Sequence, residues 1–175
     1  MSILKDYAAY AEHSGSKLKP FVKTMFYCNI FFRISYVLYK IKLIPLARIF
    51  WLFNRVLFSV EIDPRARLKG GFVILHGTGV VIGYNVVAEG NFKVYQGATI
   101  GGNVGKKRTA NGRTFSQPWL QPDVVIGINA VVAGPVILGA GSRVGANSVV
   151  TRDVPAGATV VSNNVILAEK SEVVL

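Results

Sequence analysis

The feature that most constrains this chain is an aliphatic residue that recurs at every sixth position over its C-terminal two thirds. The recurring residues are Ile82, Ala88, Val94, Ile100, Leu120, Ile126, Val132, Leu138, Val144, Val150 and Ala156. Four positions after each of them lies a second candidate for the core. Ten residues that form corners stand just before this second set. Nine of them tolerate left-handed backbone angles, and the tenth is Pro135. The nine are Asn85, Asn91, Gly97, Asn103, Asp123, Asn129, Gly141, Asn147 and Asp153. A six-residue period is typical of a parallel β-helix in which three hexads make one triangular coil. The sequence therefore predicts a mainly β protein, a left-handed parallel β-helix over about 60–162.

The hexad register breaks once, between Ile100 and Leu120. Twenty residues separate the two where six are expected, so 20 − 6 = 14 residues within about 102–117 are looped out of the coil. The loop is basic, polar and contains several glycines. Because long loops on rigid scaffolds are usually functional, we expect this one to project outward and to have a role; a surface excursion without one is the alternative.

The N-terminal third follows a different pattern, rich in Phe, Tyr, Leu and Ile and poor in turn residues. Pro20 and Pro45 suit the first turns of helices, which predicts two helices over roughly 20–42 and 45–58. This short N-terminal α-helical region precedes the β-helix.

The chain accordingly divides into a basic, aromatic helical region, 1–59, and a β-helix domain, 60–175. Between Glu12 and Glu61 there is no acidic residue, and aromatic and aliphatic side chains alternate with Lys and Arg. That composition suits helices on an anionic membrane surface. Packing against the neighbouring domain or another subunit explains it equally well, and the sequence does not separate the two.

The formal net charge is +11, and most of the basic excess lies in the first 60 residues, with nine Lys or Arg against two acids. Such a charge points to an anionic partner: a membrane surface, phosphates or nucleic acid. A nucleic-acid role is not expected, because no recognition motif is present.

A reducing compartment is indicated by the single cysteine, Cys28, which lies in an apolar run and is expected to be buried. The N-terminus has an early acid and is not expected to be a signal peptide. The longest charge-free stretch of the apolar region, Thr24 to Phe32, is far shorter than the ~20 residues of a membrane-spanning helix. We therefore expect a cytoplasmic protein that can lie on the inner face of the cytoplasmic membrane.

His76 breaks the local pattern. It lies six residues before Ile82, in a position where other hexads carry an aliphatic residue. Exceptions of this kind gather at functional sites. The other histidine, His13, lies in a polar stretch and is expected to be solvated. Two histidines cannot supply a zinc site of three histidine ligands, so no metal is expected.

The segments VEIDPRARLKGGFVILHGTGVVIG and QGATIGG resemble serine acetyltransferases and their relatives that O-acetylate bacterial surface polysaccharides, such as colanic acid acetyltransferase. The resemblance covers about 58–162, and its most specific element is His-x-Thr-Gly-x-Val-x-Gly. It implies a hexapeptide-repeat acyltransferase that uses acetyl-CoA as co-substrate. It also implies a homotrimer with active sites between adjacent β-helices.

The same resemblance implies roles for particular residues. His76 matches the general base that takes the acceptor's proton, and Glu61 stands where the family carries an Asp that partners this histidine. Fifteen residues is close to one eighteen-residue coil, so the two side chains are expected on neighbouring coils. Asp63 is the alternative partner.

For the co-substrate, Gly101 and Gly102 match a glycine pair beside the thioester, where a backbone N–H would stabilise the charge that develops on its oxygen. Ala130 and the coils at 139–146 match positions along which the pantetheine arm runs. Candidates for contacts with the CoA phosphates are Lys106, Lys107, Arg143, Arg152 and Lys170.

Two departures from the family concern the acceptor. Leu75 stands where serine acetyltransferases carry an Asp, and Ser116 and Gln117 replace an Arg-His pair. Since charged groups of serine would be left unpaired, we expect the acceptor to be a saccharide or lipid-linked saccharide of surface polysaccharide or capsule synthesis. The alternatives are a divergent serine O-acetyltransferase and a non-catalytic, membrane-associated β-helix protein.

Overall fold

The computed structural model describes residues 3–110 and 112–162. Three helices come first: α1 Ile3–Ser14, α2 Thr24–Lys40 and α3 Ile44–Phe58, with a short 3-10 turn at Lys19–Val22. The strands follow: β1 Val60–Ile62, β2 Arg67–Leu68, β3 Phe72–Ile74, β4 Val80–Ile82, β5 Val87–Ala88, β6 Phe92–Val94, β7 Thr99–Gly101, β8 Arg108–Ala110, β9 Arg113–Phe115, β10 Trp119–Leu120, β11 Val124–Ile126, β12 Val131–Ala133, β13 Ile137–Leu138, β14 Arg143–Val144, β15 Val149–Val150 and β16 Thr159–Val160.

The strands of the coil enter three parallel sheets in turn. Sheet A contains β1, β4, β7, β12 and β15; sheet B contains β2, β5, β10 and β13; sheet C contains β3, β6, β11, β14 and β16. Ile82 pairs with Ile100, eighteen positions on, and Ile100 pairs with Val132 across the looped-out segment. The hexad prediction is confirmed: three hexads make one coil of a hexapeptide-repeat fold. Its left-handed winding stays a prediction.

The core lies inside these coils and is made by the repeating residues. From Ile82 to Leu138 each aliphatic residue of the repeat has 0% exposure, while Ala156, at the end, is exposed. Burying each Val, Leu or Ile side chain contributes about 1.5–3 kcal/mol. Six of the ten predicted corner residues have left-handed backbone angles: Asn85, Gly97, Asp123, Asn129, Gly141 and Asn147. Their short side chains or missing Cβ allow the sharp corners that close each coil.

The looped-out segment leaves the coil as predicted, but it folds back instead of projecting freely. Strands β8 and β9 form an antiparallel hairpin. Arg108 in β8 donates to Asp153 at 2.5 Å, and Phe115 packs edge-on against Trp119 with ring centroids 5.7 Å apart. The hairpin is therefore held against the outer surface of the coil.

The N-terminal helices agree with the prediction from about residue 24 onward, but α1 was not predicted. It is held by Asp6, which is fully buried and forms an ion pair with Arg33 of α2, with Nε–Oδ2 at 2.7 Å. Arg33 also donates to the backbone carbonyls of Leu68 and Gly70, and Asp6 accepts from the backbone N–H of Phe72. One buried pair thus joins two helices to the first coil.

Helix α3 buries small or polar residues and exposes large apolar ones. Ala47 and Asn54 are its buried residues, whereas Leu52 and Val56 are 49% and 70% exposed. Among the described helices none is long and apolar enough to cross a membrane. The predicted association with a membrane surface stays a prediction.

Candidate active site

His76 lies at a widened corner between β3 and β4. Five residues, 75–79, separate the buried Ile74 from the buried Val80, whereas three residues, 83–85, separate Ile82 from Val86 at the next corner. The prediction that His76 fills a core slot is wrong: Ile74 fills that slot and pairs with Val94, while His76 is exposed. The two extra residues, and the left-handed backbone of Gly79 (φ 76°), bring the imidazole to the surface.

Two N-terminal helices support this corner from either side. The hydroxyl of Tyr10 in α1 donates to the carbonyl of Ile74 at 3.2 Å and accepts from its N–H at 3.0 Å. Met25 of α2 packs on Gly77, where a Cβ would lie 2.3 Å from its sulfur. A cavity of about 350 Å³, lined in part by Tyr10, Met25 and His76, opens at this corner. The helices therefore fix the backbone on both sides of a histidine that makes no hydrogen bond to any described residue.

Leu75, the residue before His76, is apolar and packs against other apolar side chains. Leu75 is half-buried and packs against the cluster that α1 and α2 form with Val73. No carboxylate can therefore act from this position.

Glu61, the predicted partner of His76, points outward from β1 and forms an ion pair with Arg55 of α3 at 3.5 Å. The structure does not bring Glu61 and His76 into hydrogen-bond contact within one chain. Exposed pairs of this length contribute little, so Arg55 does not lock the carboxylate in place.

Asp63, the alternative partner, is occupied by Arg65, which donates to both carboxylate oxygens at 2.8 and 2.9 Å. Burial opposes ionisation of Asp63, but hydrogen bonds from the side chain and backbone of Arg65 outweigh it and lower the pKa of this carboxyl. With its oxygens already accepting these bonds, Asp63 is less available than Glu61.

Gly101 ends strand β7 and Gly102 follows it, and the two glycines have different surroundings. A Cβ on Gly101 would meet no atom within 4 Å, whereas one on Gly102 would lie 2.5 Å from the amide nitrogen of Gln117. Gln117 is 4% exposed, and its Oε1 accepts no hydrogen bond from the described residues. Gly101 thus leaves room for a thin, extended group, and Gly102 lies against a buried amide.

The predicted phosphate-binding cations do not converge within one chain. Lys106 and Lys107 are exposed in the loop, Arg143 faces outward from β14, and Arg152 is exposed after β15. Lys170 lies outside the described residues. Ala130 has a fully buried side chain, so only its backbone can face a ligand.

His76 and the glycine pair lie at opposite ends of the strands of sheet A. His76 precedes β4, at the amino end of its strands, while Gly101 closes β7 at their carboxyl end. One chain therefore does not place the two side by side, and in the predicted homotrimer a second copy would supply one of them. The trimer itself stays a prediction.

Sequence reasoning missed a basic cavity of about 340 Å³ between the hairpin and sheet B, which we call the hairpin cavity. It is lined by Arg67, Lys69, Asn85, Val87, Lys107, Arg113, Thr114, Phe115, Ser116 and Trp119. Its residues come from three separate parts of the chain, and only the alternation of Arg67 with buried Leu68 hinted at an outward cation. No group of metal-binding side chains occurs in 3–110 or 112–162.

Other residues singled out in the sequence have structural roles. Cys28 is fully buried, and burial raises the pKa of its thiol, so it is unsuited to act as a nucleophile. His13 is exposed, as predicted, and its pKa is lowered, first by partial burial and then by Lys93 and Lys23.

Comparison with known proteins agrees with this architecture. Residues 118–152 match the family model described as "Bacterial transferase hexapeptide (six repeats)". The serine acetyltransferase of Synechococcus elongatus is 42% identical over 129 residues, which are 74% of this chain and 50% of that protein. The serine acetyltransferase of Helicobacter pylori is 35% identical over 130 residues, 74% of this chain and 72% of that protein.

A solved structure is similar over almost the whole chain. The crystal structure of serine acetyltransferase from Brucella abortus in complex with coenzyme A superimposes with a TM-score of 0.79 at 28% identity, covering 93% of this chain and 64% of that one. The chain spans about half the length of the Synechococcus relative that it matches.

Proposed function

Because this chain belongs to the serine acetyltransferase family, we propose that it is an acetyl-CoA-dependent O-acetyltransferase. The observation that carries the proposal is the exposed imidazole of His76 at a corner that two helices hold in place. Of the two enzyme functions expected from the sequence, the relatives favour transfer to serine over transfer to a saccharide.

The chemistry follows from the acceptor hydroxyl and the thioester. His76 takes the hydroxyl proton as the oxygen attacks the thioester carbonyl carbon, and Gly102 offers its backbone N–H to the oxygen that gains charge. The carbon–sulfur bond then breaks, and the proton passes from the imidazolium to the leaving thiolate. The products are an acetyl ester and free CoA.

Room for the co-substrate supports the proposal. Gly101 leaves open space next to Gly102 and Gln117, as a thin acyl-pantetheine chain requires. The opposite placement of His76 and Gly102 supports a site completed by a second subunit. In that setting Glu61, whose ion pair with Arg55 is exposed, is free to turn toward a histidine.

A second candidate, saccharide O-acetylation, is favoured by one observation. Leu75 and Gln117 give the site an apolar contact and a neutral amide where binding of a free amino acid calls for charged groups. The two candidate functions therefore share the same acetyl-transfer reaction and differ only in the acceptor.

Thiol release from acetyl-CoA in the presence of serine, compared with a panel of neutral and acidic saccharides, tests the proposal. We expect saturable release that depends on a hydroxyl acceptor, with serine the first to test. A folded protein that transfers acetyl groups to none of them would contradict the proposed function.

A further inference from the structure

The floor of the hairpin cavity is a ladder of outward-facing side chains on sheet B. Arg67 pairs in register with Val87, and Val87 with Trp119. Their neighbours Leu68, Ala88 and Leu120 are fully buried. Because successive side chains of a strand point to opposite faces, Arg67, Val87 and Trp119 face the cavity.

The hairpin supplies the opposite wall. Arg113 lies over the Trp119 ring, with its guanidinium carbon 5.3 Å from the ring centroid, and Phe115 meets the same ring edge-on. The Arg108–Asp153 ion pair ties the hairpin down. The cavity is thus a built space between a rigid floor and a tethered wall.

The side chains that line this cavity are strongly basic. Four cations line it: Arg67, Lys69, Lys107 and Arg113. Within the described part of the chain, only Lys69 has a carboxylate close by, Glu89 at 3.8 Å. Like charges held near one another repel, and an anion between them removes that cost and gains charge-assisted hydrogen bonds.

A second observation also points to a missing acceptor. The indole Nε1 of Trp119 is buried and donates to no described group. Buried donors normally have a partner. Because this nitrogen has almost no accessible surface, an anionic oxygen in the cavity would reach it only after the indole ring turns.

The cavity adjoins the glycine pair. Lys107 and Ser116 line both the hairpin cavity and a neighbouring cavity of about 280 Å³ that contains Gly102 and Gln117. The floor residues come from β2, β5 and β10 of sheet B, whereas Ala130, which marks the expected path of pantetheine, precedes β12 of sheet A. The space therefore extends away from the co-substrate, on the side left for the acceptor.

We infer that the hairpin cavity binds an anionic group of the acceptor, a carboxylate, sulfate or phosphate monoester, and so directs the acceptor hydroxyl toward Gly102. The inference rests on the proposed function. It fits the carboxylate of serine and that of an acidic saccharide, and it excludes neutral sugars as the preferred acceptors.

Inorganic sulfate provides a probe that does not depend on catalysis. In a Trp51→Phe background the remaining tryptophan is Trp119, so its fluorescence is titrated with sodium sulfate against sodium chloride at constant ionic strength. We expect a saturable change with sulfate, and a rise of about tenfold in its Kd in Arg67→Gln or Arg113→Gln. Lys93→Gln, an outward cation at the matching strand position on sheet C, is the control and should leave the Kd unchanged.

A change that is not saturable, or one that Lys93→Gln weakens as much as the arginine variants do, overturns the anion site. Displacement of sulfate by CoA, but not by serine or glucuronate, overturns its assignment to the acceptor.

Kinetics separate the two sources of the anion. Serine is compared with serinamide, and glucuronate with glucose. The anionic member of the productive pair should have the lower KM, and Arg67→Gln should remove that preference with little change in kcat. Equal KM values within both pairs overturn the inference and leave the proposed function standing. Absence of transfer to all four contradicts the proposed function, and the sulfate titration then still decides whether the cavity binds anions.

Discussion

The α-carbon of Gly102 packs against the side-chain amide of Gln117 so closely that a Cβ would lie 2.5 Å from its nitrogen. Gly102→Ala should therefore displace the end of a buried but flexible side chain. We expect kcat/KM for acetyl transfer to fall about tenfold, since small misplacements of positioning groups are costly.

The neighbouring Gly101→Ala is the comparison for displacement of Gln117, because a Cβ there meets no atom of this chain within 4 Å and enters only the space proposed for the co-substrate. Thermal unfolding should show little change for Gly102→Ala. An unaltered kcat/KM in a folded Gly102→Ala protein would mean that Gln117 does not matter for the site.

The sequence was sufficient to predict the coil, because its hexads repeat a local rule that backbone sterics and burial enforce at every turn. It also singled out His76, whose catalytic role stays a prediction. The predicted core position of His76 was wrong. The corner before Val80 contains two extra residues, and the hexads that follow give no sign of them.

The buried Asp6–Arg33 pair and the hairpin cavity could not be predicted. Asp6 and Arg33 are 27 residues apart, and Arg108 and Asp153 are 45 apart. Neither pair belongs to a repeating pattern, so only the folded chain shows which charges meet.

Removal of one charge from the buried pair should be strongly destabilising. Asp6→Asn leaves Arg33 buried beside a neutral group, and we expect a loss of about 3–5 kcal/mol in the free energy of unfolding. Urea denaturation at fixed protein concentration measures it.

The double variant Asp6→Leu with Arg33→Met removes both charges and should cost less than Asp6→Asn. An Asp6→Asn protein as stable as the wild type would mean that α1 is not held to the coil by this pair.

The attachment of the hairpin should depend on pH. The pKa of Asp153 lies below its usual value of 3.8, first because Arg108 donates to it; partial burial opposes this, and the backbone N–H of Ile137 and the charge of Arg108 add smaller lowering effects. A carboxyl with a lowered pKa stabilises the folded state above its usual pKa, and this contribution is lost as pH falls through the lowered value.

Hydrogen exchange over 108–115 should therefore quicken below about pH 4, relative to the rest of the protein. In Asp153→Asn the hairpin should exchange rapidly at all pH values. Equal protection of the hairpin in Asp153→Asn and wild type would show that Arg108–Asp153 is not its tether.

The exposed apolar side of α3 should bind anionic vesicles, because Lys40, Lys42 and Arg48 accompany it and no acid occurs in α2 or α3. In flotation, binding should weaken with salt and should be lost in Val56→Asp.

Val161→Asp, at a position of similar exposure on the coil, serves as the control. Self-association through α3 without vesicle binding would instead assign this surface to contact between subunits.

The most direct measurement of the central claim is the kcat for acetyl transfer in His76→Ala, with His13→Ala, which changes the other histidine, as its match. Loss of a positioned general base should lower kcat by about 10²–10⁴-fold, while CoA binding and folding stay unchanged and His13→Ala keeps wild-type activity. A folded His76→Ala protein that retains most of its acetyl transfer would contradict the account.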